Sequence, residues 1–286
     1  PSELLDRINF YPGNFAPEFG RAVGGIVDMG IRSPKKQWSG LVQFDLIDGR
    51  VLVEGPIDKK TRFALGARRS WVDTWLVPVL KSAGAGVSAA PVYYDYQAII
   101  ERDDVVKGTS VRAVVMGSDD RLALTLNSPS ASDPALGGDV SSTIGFIRAQ
   151  LRTDTRVTDN VRWVNTLAYG QDVVNFGLGD LFFKLKTRPL TFRSDLRAKI
   201  SKEASLVLGT DVLASWFDVT LRLPPPPIPG EAPGPFFGRQ PREQASDGLL
   251  YRPGLYAMLD LTPLKSLHLL PGVRLEFPKQ PVTFTR

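Results

Sequence analysis

Hydrophobic and polar residues alternate along most of the chain from Trp38 onward, with a period of two. In residues 191–200, Phe192, Leu196 and Ile200 fall on one face, and Arg193, Asp195 and Arg197 fall on the other. Segments 92–101, 147–152 and 161–169 follow the same pattern. A period of two indicates β-strands, and strands of about 9–11 residues have the length that crosses a bilayer. Strands in soluble sandwiches are shorter, mostly about 5–6 residues. The pattern predicts an antiparallel transmembrane β-sheet whose apolar face meets lipid.

The predicted connections alternate between short and long. Short polar connections such as Ser201–Ala204 separate longer ones, which the sequence places at Asp73–Pro91, Gly117–Ser142, Asp172–Pro189 and Thr220–Leu249. Tight turns at one end and long loops at the other are typical of an outer-membrane barrel. The segment Trp71–Lys81 has the composition of a short helix, which we expect Pro78 to interrupt.

Composition and charge exclude several classes of protein. Glycine (26) and proline (23) are abundant, and the apolar stretches, such as Trp75–Leu80, are far shorter than the ~18 residues of a membrane helix. The chain has no cysteine and a single histidine, His268, so thiolate and histidine-rich metal sites are not expected. The net charge is +5, but the basic residues are spread along the chain without a long run. We therefore expect no nucleic-acid partner and no metal, cofactor or catalytic residue.

The first 28 residues carry a distinct motif. Arg7–Phe15 reads RINFYPGNF, and Phe19–Asp28 reads FGRAVGGIVD. This run predicts two short strands joined by a turn, with paired glycines where the backbone passes close to a neighbour. It resembles the end of the plug domain of TonB-dependent outer-membrane receptors. Arg68–Asp73 (RRSWVD), Val92–Gln97 and Leu270–Glu276 similarly resemble successive strands of that family's barrel, so the resemblance extends along the whole chain.

The resemblance implies an architecture and a function. The family fold is a plug inside a 22-stranded barrel, so residues 1–35 would be the C-terminal part of the plug and residues 36–286 the N-terminal half of the barrel. We count about ten or eleven strands, which makes the chain a fragment of such a receptor. The implied function is active uptake of a scarce small molecule (a siderophore, cobalamin or a carbohydrate) across the bacterial outer membrane. The implied partners are outer-membrane lipid and a TonB-type periplasmic energy-coupling protein. A passive porin or adhesin-type barrel and a soluble all-β carbohydrate-binding domain remain as alternatives.

Two groups of residues are candidates for function. The plug motif comprises Gly20, Arg21, Gly24 and Gly25; either it shifts during transport, or its glycines permit tight packing while Arg21 pairs with an inward carboxylate. The candidate ligand path comprises residues that alternation assigns to the lumen: Arg68, Asp95, Gln97, Arg112, Arg148, Arg193 and Arg197. Arg152 and Arg162 share that face. These arginines form either a basic interior that attracts anionic cargo or a solvated wall in which each pairs with a nearby acid.

Overall fold

The computed structural model describes residues 2–13, 15–22, 24–83, 87–126, 138–225, 240–277, 279 and 282–285. Within them the chain forms one two-stranded and one larger antiparallel sheet. The elements are β1 (Leu5–Tyr11), β2 (Ile26–Ile31), β3 (Ser39–Phe44), β4 (Asp48–Pro56), β5 (Thr61–Ser70), α1 (Val72–Ser82), β6 (Val87–Val106), β7 (Thr109–Leu126), β8 (Gly138–Arg156), β9 (Val161–Leu178), β10 (Leu181–Lys199), β11 (Ala204–Leu223), β12 (Arg242–Leu264), β13 (Leu267–Leu269), β14 (Gly272–Glu276) and β15 (Val282–Thr285), after a 3-10 turn at Ser2–Leu4. No helix among them is long and apolar enough to span a membrane.

The larger sheet is a meander in which each strand from β3 to β12 pairs with the next along the chain. The short strands β13, β14 and β15 all pair with β12, so they form one interrupted row beside it. Within the described part of the chain, the sheet therefore has eleven rows, which agrees with the ten or eleven strands predicted. Among the described residues, β3 and the interrupted row are the two edges of an open sheet.

Strands β6 to β12 are 18–23 residues long, about twice the predicted length. The predicted long loops at 117–142 and 172–189 are therefore wrong over most of their length. Residues 172–178 and 181–189 are paired strand, joined at Gly179, which has a φ of 53°. Glycine, proline and charged residues occur there within a continuous backbone ladder, so their presence alone does not indicate a loop. The centre of the predicted loop at 220–249, residues 226–239, lies outside the described residues.

Helix α1 continues through Pro78, so the predicted interruption is wrong. The indole N–H groups of Trp71 and Trp75 donate hydrogen bonds to backbone carbonyls at residues 45 and 46, at 2.9 and 3.0 Å. The ring of Trp71 also stacks on Phe44, with centroids 5.4 Å apart. These contacts hold the start of the helix against the β3–β4 turn, so tertiary packing outweighs the cost of an internal proline.

The two faces of the larger sheet differ in chemistry, as the alternation predicts. On β10, Phe192 and Leu196 are exposed, as is Ile200 directly after the strand, whereas Asp195 on the opposite face is only 7% exposed. The face carrying Phe192 holds exposed apolar side chains on almost every strand; these include Val42, Leu65, Ile100, Leu151, Leu167, Leu208 and Leu255. A one-residue slip in pairing would exchange the two faces, so the pattern fixes the register.

Residues 2–33, which contain β1 and β2, lie against the polar face. They contact strands as far apart as β4 and β14, since Glu3 meets Arg50 and the Pro17 carbonyl meets Arg274. The sheet must therefore curve around this segment, and we call the polar face concave and the apolar face convex. Leu4 packs there in a small core formed by Leu52, Ala64, Ile99 and Val114, with Ile31 and Leu41 at its margin. The predicted turn between β1 and β2 is instead the longer connection 12–25.

Candidate functional site

The contact between residues 2–33 and the concave face contains most of the predicted functional residues, and Arg21 is at its centre. Arg21 has a φ of 63°, a left-handed conformation that costs a non-glycine residue about 1 kcal/mol or more. Its guanidinium donates to Asp211 and to the Arg252 carbonyl, both at 2.8 Å. Asp211 is 6% exposed and also accepts a hydrogen bond from Arg274 at 2.7 Å. Arg21 therefore pairs with an inward carboxylate in this structure, while movement of the motif during transport stays a prediction.

The glycines of the motif differ in how closely they are packed. A β-carbon added at Gly20 would lie 2.1 Å from the Arg274 guanidinium. One added at Gly25 would lie 3.0 Å from the Phe10 ring and 3.1 Å from the Tyr11 carbonyl oxygen. One added at Gly24 would meet nothing within 4 Å. Close backbone approach therefore explains Gly20 and Gly25, whereas Gly24 has no such neighbour among the described residues.

A second ionic contact lies at the end of β2. Arg32 donates two hydrogen bonds to Glu54 on β4, at 2.7 and 2.8 Å, and Glu54 is only 1% exposed. The backbone N–H of Lys35 donates to the same carboxylate at 3.1 Å. The hydrogen bonds to Glu54 raise the pKa of Arg32 above its usual value, against the opposing effect of burial. A buried carboxylate is therefore fully paired by residues that precede the larger sheet.

Arg112 connects the sheet to the same segment. Its guanidinium donates to Glu101 at 2.5 Å, to the Ser33 hydroxyl at 2.6 Å and to the Ile31 carbonyl at 3.0 Å. Glu101 also accepts a hydrogen bond from Arg62 at 2.8 Å. Arg112 therefore connects β7 to residues 31–33, and its guanidinium is engaged in hydrogen bonds rather than free.

Arg193 and Arg197, both on β10, share a carboxylate that belongs to the segment. Their guanidinium groups lie 3.2 and 2.9 Å from Glu18. Arg193 also donates to Asp195 at 3.0 Å, and Asp195 in turn accepts a hydrogen bond from the hydroxyl of buried Tyr256. Glu18 therefore links the connection 12–25 to the tenth strand.

The other predicted path residues lie nearer the α1 end of the strands. Arg68 donates to Asp95 at 2.6 Å, and Arg148 donates to Asp172 at 2.5 Å. Gln97 is 9% exposed. The predicted path therefore divides into two groups: Arg112, Arg193 and Arg197 touch residues 2–33, whereas Arg68 and Arg148 pair with acids of the sheet itself.

Several residues of this contact were not predicted from the sequence. Its acceptors are carboxylates on the concave face or in the connection 12–25: Glu18, Glu54, Glu101 and Asp211. The alternation places Glu54, Glu101 and Asp211 on the polar face. An acidic residue on that face was therefore the sequence feature that could have predicted a partner for an arginine. His268 likewise has a partner that was not foreseen, since its Nε2 lies 2.6 Å from Asp260. In the described part of the chain, no group of three or more acidic or histidine side chains is placed to hold a metal ion.

Solved structures of outer-membrane receptors resemble this chain over nearly its full length. The ferripyoverdine receptor of the outer membrane of Pseudomonas aeruginosa, bound to ferripyoverdine, matches with a TM-score of 0.71 at 12% identity, covering 99% of this chain and 43% of the receptor. The ferric-catecholate import receptor Fiu of Escherichia coli K12, in its open form, matches with a TM-score of 0.64 at 12% identity, covering 96% and 50%. A mutant of the ferric enterobactin receptor PfeA of P. aeruginosa matches with a TM-score of 0.63 at 14% identity, covering 99% and 46%.

The sequence itself gives no such match: no protein-family model and no curated protein matches the chain. The likeness therefore concerns the fold. The chain spans half or less of the length of each of these receptors. The chain has a meander of long strands, an apolar convex face and a segment held inside the curve of the sheet, and its fold is that of part of the outer-membrane receptors to which it is similar.

Proposed function

We propose that this chain is the end of the plug and the first half of the barrel of a TonB-dependent receptor, which takes up a scarce ligand across the outer membrane of a Gram-negative bacterium. The observation that carries the proposal is the position of residues 2–33, which are held by ion pairs on the concave face of a sheet whose convex face is apolar. Residues 1–35 would form the end of the plug, and residues 36–286 the barrel strands.

The convex face supports a membrane location. The apolar belt that runs along β10 from Leu190 to Ile200, the residue after the strand, spans about 33 Å at 3.3 Å per residue. A tilt of about 40° reduces this to about 25 Å, the height of the apolar band of a transmembrane barrel. The aromatic side chains Tyr169 and Trp216 lie on the neighbouring strands near one end of that belt and are exposed. Aromatic residues at the edge of the band are typical of membrane barrels.

The segment inside the curve favours a gated receptor over a passive porin. A porin needs an open channel, whereas here residues 2–33 are fixed to β4, β10 and β11 by Arg32, Glu18 and Arg21. Transport past such a segment requires these contacts to be rearranged. We infer that the energy comes from a TonB-type periplasmic protein, and that the cargo is a small molecule. The named ligands of the similar structures, ferripyoverdine and ferric enterobactin among them, favour the siderophore class over cobalamin or carbohydrate.

Uptake measured in energised and de-energised cells tests the proposal. Cells that express the complete receptor should accumulate a radiolabelled iron–siderophore complex, and an uncoupler that collapses the proton-motive force should stop the uptake while surface binding remains. Uptake that continues after the uncoupler would identify a passive porin. A protein that stays in the soluble fraction without detergent would instead identify the soluble all-β alternative.

A further inference from the structure

Four polar residues form one continuous row across the concave face of strands β7 to β10. The strand register places Arg112 opposite Arg152, Arg152 opposite Thr166, and Thr166 opposite Arg193. Arg112 and Arg152 are therefore direct cross-strand neighbours with the same charge. Like charges directly opposite each other destabilise a sheet unless another group compensates them.

The arginines of this region differ in their partners. Arg112 is paired with Glu101, Arg193 with Asp195 and Glu18, and Arg162 with Asp154 through two hydrogen bonds. The Arg152 guanidinium has only a 3.9 Å contact with Asp154, a carboxylate that Arg162 already holds. Within the described part of the chain, Arg152 makes no hydrogen bond, and its side chain is 45% exposed. Among the described residues of this row, Arg152 is therefore the arginine whose guanidinium N–H groups are free to bind a ligand.

Arg152 faces a cleft of about 560 Å³ between residues 2–33 and strands β8 to β10. Five arginines line this cleft: Arg7, Arg152, Arg162, Arg193 and Arg197. The carboxylates in its lining are Glu18, Asp28 and Asp195. Among the described residues that line the cleft, arginines therefore exceed carboxylates by two, while Asp6 and Asp154, outside the lining, pair with Arg7 and Arg162. Gln150, which precedes Arg152 on the same face, lines the cleft as well and offers an amide N–H.

We propose that this cleft binds an oxyanion, either a carboxylate or a phosphate group, with Arg152 as the principal ligand and Gln150 and Thr166 beside it. A planar guanidinium with free N–H groups matches the two oxygens of a carboxylate or phosphate. The bound anion would also compensate the charge of Arg152, which lies directly opposite Arg112. The assignment of the anion to the transported cargo rests on the proposed function, in which the concave face lines the transport path. The cleft would then be an intermediate binding site for anionic cargo on that path.

A fluorescent reporter tests the site directly, because the chain has no cysteine of its own. A single cysteine at Ala168, two residues from Thr166 on the concave face, is labelled with an environment-sensitive dye in the membrane-embedded protein. Inorganic phosphate and citrate are titrated separately at constant ionic strength, with chloride as the reference anion. The same label at Ala149, on the convex face of β8, is the control for effects of the ions on the membrane or the dye.

The expected result is a saturable signal from the label at position 168 and none from position 149. Arg152→Gln should weaken binding about tenfold, as expected for loss of a charge-assisted hydrogen bond. Arg152→Lys should retain part of the affinity, and Arg222→Gln on the convex face should retain all of it. A response to citrate alone assigns the site to carboxylates, and a response to phosphate alone assigns it to phosphates. Equal affinities in wild type and Arg152→Gln, or no saturable response in wild type, would overturn the proposal. The uncoupler experiment does not depend on Arg152, so the two proposals can fail separately.

Discussion

Replacing Glu54 with alanine should detach residues 2–33 from the start of the larger sheet. Glu54 is 1% exposed and accepts two hydrogen bonds from Arg32 and one from the Lys35 backbone. Removing one partner of a buried ion pair costs about 3–5 kcal/mol, since the other charge stays behind without compensation. The side chain of Arg32 is 22% exposed and regains some hydration, so we expect the free energy of unfolding to fall by about 3 kcal/mol.

A double-mutant cycle measures this coupling. The free energy of unfolding is determined by urea titration of the wild type, Glu54→Ala, Arg32→Ala and the double variant in the same membrane-mimetic detergent. We expect a coupling energy of about 2 kcal/mol, within the range measured for contacting residues. Asp218→Ala is the matched control: its pair with Arg188 is 53% and 42% exposed, so its loss should cost less than about 1 kcal/mol.

Hydrogen exchange locates the effect. In Glu54→Ala, amide protons of β2 should exchange faster, whereas those of β9 and β10 should keep the wild-type rates. A coupling energy below about 0.5 kcal/mol, together with unchanged exchange in β2, would refute the reasoning that this pair anchors the segment.

Three further predictions concern other parts of the molecule. Single cysteines at positions 192 and 193 should differ in labelling, with a lipid-soluble reagent reaching 192 and a water-soluble one reaching 193; equal labelling of both would exclude the register. Gly209→Ala should destabilise the fold by about 1–3 kcal/mol in a urea titration, because a β-carbon there would lie 2.2 Å from the ring of buried Tyr256; an unchanged midpoint would show that the ring moves aside freely. Asp58, in the β4–β5 turn, has a pKa lowered by hydrogen bonds from the Lys60 backbone and from Thr61, so its contribution to stability is present above the unfolded-state pKa and lost as pH falls through the folded-state pKa. Lowering the pH should therefore accelerate exchange of the Thr61 amide proton, relative to its intrinsic rate at each pH, in the wild type but not in Asp58→Asn. An identical pH dependence in the two proteins would contradict this role.

The strands and their two faces could be predicted because the signal for them is local. In residues 191–200, the alternation alone places Phe192 on one face and Arg193 on the other. The true lengths of the strands could not be predicted in this way. Residues 172–189 contain Gly177, Gly179 and Pro189, which are typical of loops, yet on either side of the turn at 179–180 the backbone is paired with neighbouring strands. The continuation of helix α1 through Pro78 could not be predicted either. Trp71 and Trp75 stabilise this helix by contacts with a turn that is distant in the sequence.

The sequence by itself determined the alternation of side chains, the number of strands and the presence of a distinct segment before the sheet. It did so because a strand's side-chain period of two depends only on backbone geometry. Only the tertiary structure decided which carboxylate each arginine meets. Arg21 reaches Asp211 across 190 positions of the chain, and Arg274 reaches the carbonyl of Pro17 across 257. Such pairs depend on the curvature of the sheet and on the accumulated register of ten strand pairings, which no local pattern of residues encodes.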